Sequence, residues 1–577
     1  MAKKTNLPNE KPGSRDNPES RRQLVVIVKK ELGLKASAAG LTSSRDTDVS
    51  SLSSLLEAEG VQLTPLFGDQ SENLSRSADT PDEVTGLDLP DLSVYFQVDG
   101  PDESLDQIAE KLLENEFVEA AYVKPPASPA IFHQETEAAP VVTPPATPNF
   151  TARQGYLDAA PGGIDARYAW TQAGGRGFNV RVVDIEGGWN FGHEDLAANN
   201  GGLVGGTNST DMDWVNHGTA VVGVIGADLN SIGVTGIAPD ANVSGISIFG
   251  LGEAAAIQRA ADRLAPGDII LIELHAPGPR FNFTAPSGQR GFVAMEYWPD
   301  VFDAIRYAVA KGVIVIEAAG NGAENFDDPI YNTRPAGFPA SWSNPFRRGA
   351  RDSGAILVGA GAPPPGTHGR NHGPDRSRLD FSNYGSAVDV QGWGQEVTTT
   401  GYGDLQGGPQ NQRYTDTFNG TSSASPIVVG AVSCVQGYLR GRGRIPLTPA
   451  RARDLLRSTG SPQQDAPGRP ATQRIGNRPN LRQMIANVSG NNTWTGVQFR
   501  GNLGANQTRR WFTFNWPAHW HVYWTVVPTT VRPGAPEIKH KVMVERSNDA
   551  YVTYWIEITN LTGAPVDIEA RFAVLGW

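Results

Sequence analysis

Five short runs in the middle of this chain, at 179–185, 242–249, 268–274, 312–320 and 355–361, are apolar at almost every position. A strand with one wet face alternates apolar and polar residues. A strand that is apolar throughout must be covered on both faces, as in a parallel sheet flanked by helices. Stretches with helical spacing accompany these runs, at 253–264, 297–312 and 448–460. Residues 153–487 are therefore expected to form an α/β domain, a parallel sheet with helices on both faces.

At 577 residues the chain exceeds one hydrophobic core, so further units flank this domain. In residues 23–125, strand-like segments at 23–30, 61–67, 91–100 and 118–125 alternate with helical ones at 50–60 and 104–117. The order βαββαβ predicts a small α+β, ferredoxin-like sandwich. Residues 126–152, rich in Pro, Ala and Thr, read as an extended, accessible linker. Residues 488–577 change to short alternating strands separated by turns, which predicts an antiparallel β-sandwich. Its tryptophans at 494, 511, 516, 520, 524, 555 and 577 are read first as core, and second as a surface for a protein or glycan partner. Residues 1–22 are polar and expected to be disordered.

The net charge of −12 argues against a nucleic-acid partner, which needs a basic patch. Cys434 is the single cysteine, so no intrachain disulfide forms. Residues 1–22 hold no apolar signal-peptide core, and no run is long enough to span a membrane. The expected location is the cytoplasm, or outside the cell by a route other than Sec.

Three short motifs carry chemistry. Asn419-Gly420-Thr421-Ser422-Ser423-Ala424-Ser425-Pro426 opens an apolar run, which places Ser422 at the N-terminus of a buried helix. There, unpaired N–H groups and the helix dipole favour negative charge. A plain helix cap is the competing reading. His217-Gly218-Thr219 precedes another apolar helix, and a lone histidine is more often structural than catalytic. Glu317-Ala318-Ala319-Gly320-Asn321-Gly322 ends an apolar strand, where α/β sheets place site residues. The Asn321 amide is either turn chemistry or a donor to a developing oxyanion.

These three motifs, in this order, resemble the subtilisin-like serine proteases (subtilases, family S8) over roughly residues 155–480. The resemblance implies a serine endopeptidase cutting proteins or peptides, with Ser422 as nucleophile, His217 as general base and Asn321 in the oxyanion hole beside the Ser422 N–H. For the acid the sequence departs from the family's Asp-Ser/Thr-Gly. The family's spacing is met without gaps if Glu186 is the acid and Gly188 the motif glycine, whereas Asp184 requires a deletion and an insertion. Glu186 is therefore the expected acid and Asp184 the alternative.

The resemblance extends to a structural Ca²⁺ site. Its ligands would be Asp195, Asp228, Asn230, Ile232 and Val234, with an ordinary Asn-Ser-Gly turn as the competing reading. Residues 269–276 resemble the strand that pairs with substrate backbone, so Glu273, Leu274, His275, Gly320 and Gly337 are the expected cleft residues. Glu273 would either favour a basic residue before the cut or pair with Arg334. By element order and position, residues 23–125 resemble the family's inhibitory propeptide, so an autoprocessed zymogen is expected, cut within the linker. An unrelated accessory domain is the alternative there. For the whole chain, the alternatives are a transpeptidase on the same triad and a pseudoprotease acting as a binding module.

Overall fold

The computed structural model describes residues 21–37, 40–68, 90–131, 146–489, 494–518, 520–548 and 550–575. The N-terminal tail through residue 20, most of the linker (132–145) and Trp577 lie outside these residues.

In the N-terminal unit the expected order appears: β1 (Gln23–Val28), α1 (Ser50–Glu59), β2 (Leu63–Pro65), β3 (Tyr95–Val98), α2 (Leu105–Leu113) and β4 (Val118–Lys124). The antiparallel sheet runs β2-β3-β1-β4, the ferredoxin-like arrangement. β1 is apolar on both faces because both are covered. Leu24, Val26 and Val28 pack with Leu52, Leu56, Ile108 and Leu112 of the unit's own helices. Val25 and Ile27 pack into the core of the next domain. A short hairpin, Leu34–Ser37 with Gly40–Ser43, was not expected from the sequence.

After β5 (Ser128–Pro129), a two-residue strand, the α/β domain follows as β6 (Arg181–Glu186), β7 (Asn200–Gly205), α3 (Met212–Gly226), β8 (Asn242–Ser247), α4 (Glu253–Arg263), β9 (Ile269–Ile272), β10 (Leu274–Pro277), α5 (Pro299–Ala310), β11 (Ile314–Ala318), β12 (Ile356–Gly361), β13 (Val388–Trp393) and α6 (Thr421–Arg440). Its seven-stranded sheet, β13-β12-β11-β9-β6-β8-β7, is parallel throughout. One apolar cluster packs α3 and α6 against one face, and another packs α4 and α5 against the other. This is the α/β architecture expected from the apolar runs.

The single run at 268–274 is two strands in the structure. β9 ends at Ile272, Glu273 turns the chain, and β10 leaves the parallel sheet to join a separate antiparallel one with β5 and Phe292–Ala294. The helix Leu481–Ser489 carries this domain slightly past residue 487. From Trp494 onward, two three-stranded antiparallel sheets face each other around Trp516, Trp524, Ile556, Ile568 and Phe572. No helix among the described residues is long and apolar enough to cross a membrane.

Candidate active site

Glu186 is the last residue of β6, and Asn321 follows β11 by three residues, so both stand at the carboxyl edge of the sheet. His217 does not open its helix, as the sequence suggested. α3 begins a turn and a half earlier, where the Asp211 side chain accepts the Asp213 N–H at 2.9 Å and caps it. His217 thus sits in a formed turn, on the helix face toward the sheet. Gly218 allows the close approach: a Cβ there would lie 2.3 Å from the Gly188 carbonyl oxygen. The result is a bond of 2.7 Å between His217 Nδ1 and Glu186 Oε2, both residues fully buried.

Asp184 lies two residues back on the same face of β6. Its Oδ2 accepts the Trp189 Nε1–H at 2.9 Å. Glu186 is the carboxylate that holds the histidine. Burial pushes both carboxyls well above the usual range, and it pushes His217 down to about 4 against the pull of Asp184.

Ser422 is the second residue of α6 and is fully buried. Its Oγ and the Nε2 of His217 have no hydrogen-bond partner among the described residues. These are the atoms the sequence reading expects as nucleophile and base, and contacts of that kind often tighten only in the reacting complex. Asn321 Oδ1 accepts the Thr421 N–H at 3.0 Å and its hydroxyl at 3.1 Å. That fixes the amide with Nδ2 turned to the cleft, where it donates to Gln289 Oε1 at 3.3 Å.

The cleft is filled by the chain itself. β5 pairs antiparallel with β10, Pro129 opposite Leu274 and Ser128 opposite His275. Gln289 Nε2 donates to the Pro129 carbonyl at 3.1 Å. The next carbonyl, that of Ala130, accepts the backbone N–H of Ser422 at 3.3 Å. It also lies against Gly420, whose φ of +90° and missing side chain make room: a Cβ would sit 2.0 Å from that oxygen. Gln289 had no signal in the sequence; it stands in a loop with no motif around it.

The other expected cleft residues divide. Leu274 pairs with β5, and His275 is buried against Gly320, Asn321 and Phe292, its Nδ1 accepting the Asn321 N–H at 3.2 Å. Glu273 does not pair with Arg334. Its Oε1 meets Ser425 Oγ at 2.5 Å, while Arg334 donates to the Phe338 carbonyl. Gly337 is not a wall of this pocket; its carbonyl accepts the Ala121 N–H of β4 at 3.0 Å.

That contact belongs to a larger docking. Lys124, 1% exposed, bonds Asp300 at 2.6 Å and Glu253 at 2.7 Å, at the N-termini of α5 and α4. Tyr122 Oη donates to Asp300 at 2.9 Å, and Tyr95 Oη to Asp303 at 2.6 Å. The carboxylates stand where the helix dipoles favour them.

Of the expected calcium ligands, Asp195, Asn230 and Val234 come together. Asp195 accepts the Asn230 Nδ2–H and the Val234 N–H, each at 2.7 Å, and burial raises it to about 7. Asp228 turns away and caps the N–H groups of Ala197 and Ala198, and Ile232 N–H bonds Asn230 Oδ1. Both Asp195 oxygens face N–H donors, so this arrangement does not fit a cation. Among the described residues no three acidic, histidine or cysteine side chains converge as a metal site.

The subtilase family model matches residues 175–483, more than half of the chain. The chain belongs to the subtilase family. It is 28% identical over 285 residues to an intracellular serine protease of Paenibacillus polymyxa, covering 47% of this chain and 71% of that one. It is 27% identical over 310 residues to subtilisin NAT of Bacillus subtilis subsp. natto, covering 53% and 67%. Among solved structures, fervidolysin from Fervidobacterium pennivorans aligns with 95% of this chain and 70% of that one, at 16% identity and a TM-score of 0.47. This subtilase is thus a serine-type endopeptidase, and its substrates are proteins.

Proposed function

We propose that this subtilase is made as a zymogen whose N-terminal unit inhibits it and whose first substrate is its own Ala130–Ile131 bond. The observation that carries the reading is the Ser422 N–H donating to the Ala130 carbonyl at 3.3 Å, with β5 paired on β10 just before it. The N–H at the start of α6 is a donor placed for an oxyanion, so the carbonyl it holds is the one in line for attack.

The chemistry follows from the groups around it. Ser422 Oγ attacks the Ala130 carbonyl carbon, and His217 Nε2 takes its proton while Glu186 holds Nδ1–H. The oxyanion is held by Ser422 N–H and Asn321 Nδ2–H, a donor of this kind being worth about 3 kcal/mol. His217 returns the proton to the Ile131 nitrogen as the C–N bond breaks. Water then hydrolyses the Ala130 ester on Ser422. Ala130 is fully buried, and its carbonyl lies tight against Gly420, which supports a small residue before the cut. A structural calcium at 228–234 would require the Asn230 amide to turn over, oxygen toward Asp195; a calcium-dependent rise in Tm tests that.

The zymogen reading is tested by mass and N-terminal sequencing. The expected first product begins at Ile131, Ser422→Ala stays full length, and Ala130→Trp is cut far more slowly. A first product that begins elsewhere, or a Ser422→Ala chain that is still cut, overturns it.

A further inference from the structure

Three buried carboxylate oxygens at the site have no donor among the described residues: Asp184 Oδ1, Glu186 Oε1 and Glu273 Oε2. Asp184 Oδ2 is satisfied by Trp189, and Glu186 Oε2 by His217. Asp184 Oδ1 and Glu186 Oε1 are enclosed, without a partner among the described residues. The two side chains are i and i+2 on β6 and project from one face, each with an enclosed oxygen that lacks a partner among the described residues. Two bare carboxylates in such a place would repel, and each unpaired oxygen would bear its full desolvation cost. One proton removes both problems.

We propose that a proton on Asp184 joins its Oδ1 to Glu186 Oε1, making Asp184 a positioning residue that keeps Glu186 ionised and aimed at His217. The unit is then a chain of four: Asp184, Glu186, His217, Ser422. The proposal rests on the reading of the last three as the catalytic groups.

The assignment of the proton follows from the surroundings. Glu186 already accepts from His217, and a second accepted bond favours its charged form. Burial and the neighbouring Glu186 charge both raise Asp184, and the bond between them raises Asp184 while lowering Glu186. The other titratable groups facing the pair are His217 from α3, Glu273 between β9 and β10, and Tyr402. Ser425 Oγ donates to Glu273 Oε1 at 2.5 Å, and burial raises Glu273 well above the usual range. With the shared proton on Asp184, Glu186 carries the negative charge bonded to His217.

An amide at position 184 can still donate to Glu186 and accept from Trp189, whereas a methyl group can do neither. The test compares Asp184→Ala and Asp184→Asn in the processed enzyme, with kcat and KM followed across pH. Asp184→Ala is expected to lose about ten- to a hundredfold in kcat with KM unchanged, as for a buried group that loses its partner. Asp184→Asn is expected to recover most of that loss. Its alkaline limb is expected to move to higher pH, because an amide donor cannot ionise. Asp184→Asn as slow as Asp184→Ala, or Asp184→Ala as fast as the parent, overturns the proposal. Should Asp184→Ala not fold, infrared spectra of the intact Ser422→Ala chain decide. A protonated-carboxyl band that disappears on adding Asp184→Asn supports the proposal, and an unchanged spectrum overturns it. Residual turnover by Ser422→Ala would instead break the underlying reading of the triad.

Discussion

The two units that flank the α/β domain are attached in opposite ways. The N-terminal unit presses one sheet face into the core around α4 and α5, buries Lys124 between two carboxylates, and leads directly into β5, which lies in the cleft. The C-terminal sandwich keeps its own core, and joins the α/β domain through bonds such as Tyr551 Oη to the Ala310 carbonyl at 2.9 Å. The first attachment is matched residue by residue, as the proposed inhibitory role would require; the second is a looser tether.

That contrast can be broken in order of size. Lys124→Ala strands Asp300 and Glu253 beside a buried hole, and breaking a buried ion pair costs about 3–5 kcal/mol. After self-cleavage the N-terminal fragment of this variant is expected to leave the enzyme at least about a hundredfold faster. Size-exclusion chromatography and the onset of activity would follow its release; unchanged release would mean that Lys124 does not fasten the unit.

A smaller effect comes from the covered cleft. Burial pushes His275 down to about 3, so below pH about 6.5 the unfolded chain takes up a proton that the folded chain refuses. The sign is a loss of stability as pH falls. In the uncut Ser422→Ala chain, His275→Gln is expected to flatten this fall by about 1.4 kcal/mol per pH unit. Denaturation at several pH values reads it, and identical slopes would indicate an open, wet cleft. The smallest effect is Tyr551→Phe, expected to cost about 1 kcal/mol in melting experiments and to leave peptide hydrolysis unchanged.

Much of this was legible in the residues. Strands covered on both faces must be apolar throughout, and β6, β8, β11 and β12 were read correctly for that reason. β1 has the same appearance for a different cause: one of its faces is buried by another domain, which composition cannot tell. The break at Glu273 was invisible because the apolar run continues through it into β10. The start of α3 was misplaced because the run after His217 is the conspicuous feature, while the capping signal, Asp211, lies six residues earlier. His217 bonds Glu186, and Asn321 bonds Thr421 beside Ser422, the residues that the motifs singled out. Gln289, Trp189 and Ser425 were missed, since each matters only through a partner distant in sequence or through an oxygen left without a donor. Gly337 was misassigned because a glycine in a loop does not reveal what lies against it.

The segment 128–130 lies in the cleft paired with β10, so if the chain is cut after Ala130 as proposed, the product would keep most of its grip. Each enzyme molecule would then be made with one equivalent of its own antidote. The amount of free protease would then follow the destruction of that fragment rather than the rate of synthesis. The first few molecules to escape would digest the fragments restraining the others, so a population would switch on late and steeply.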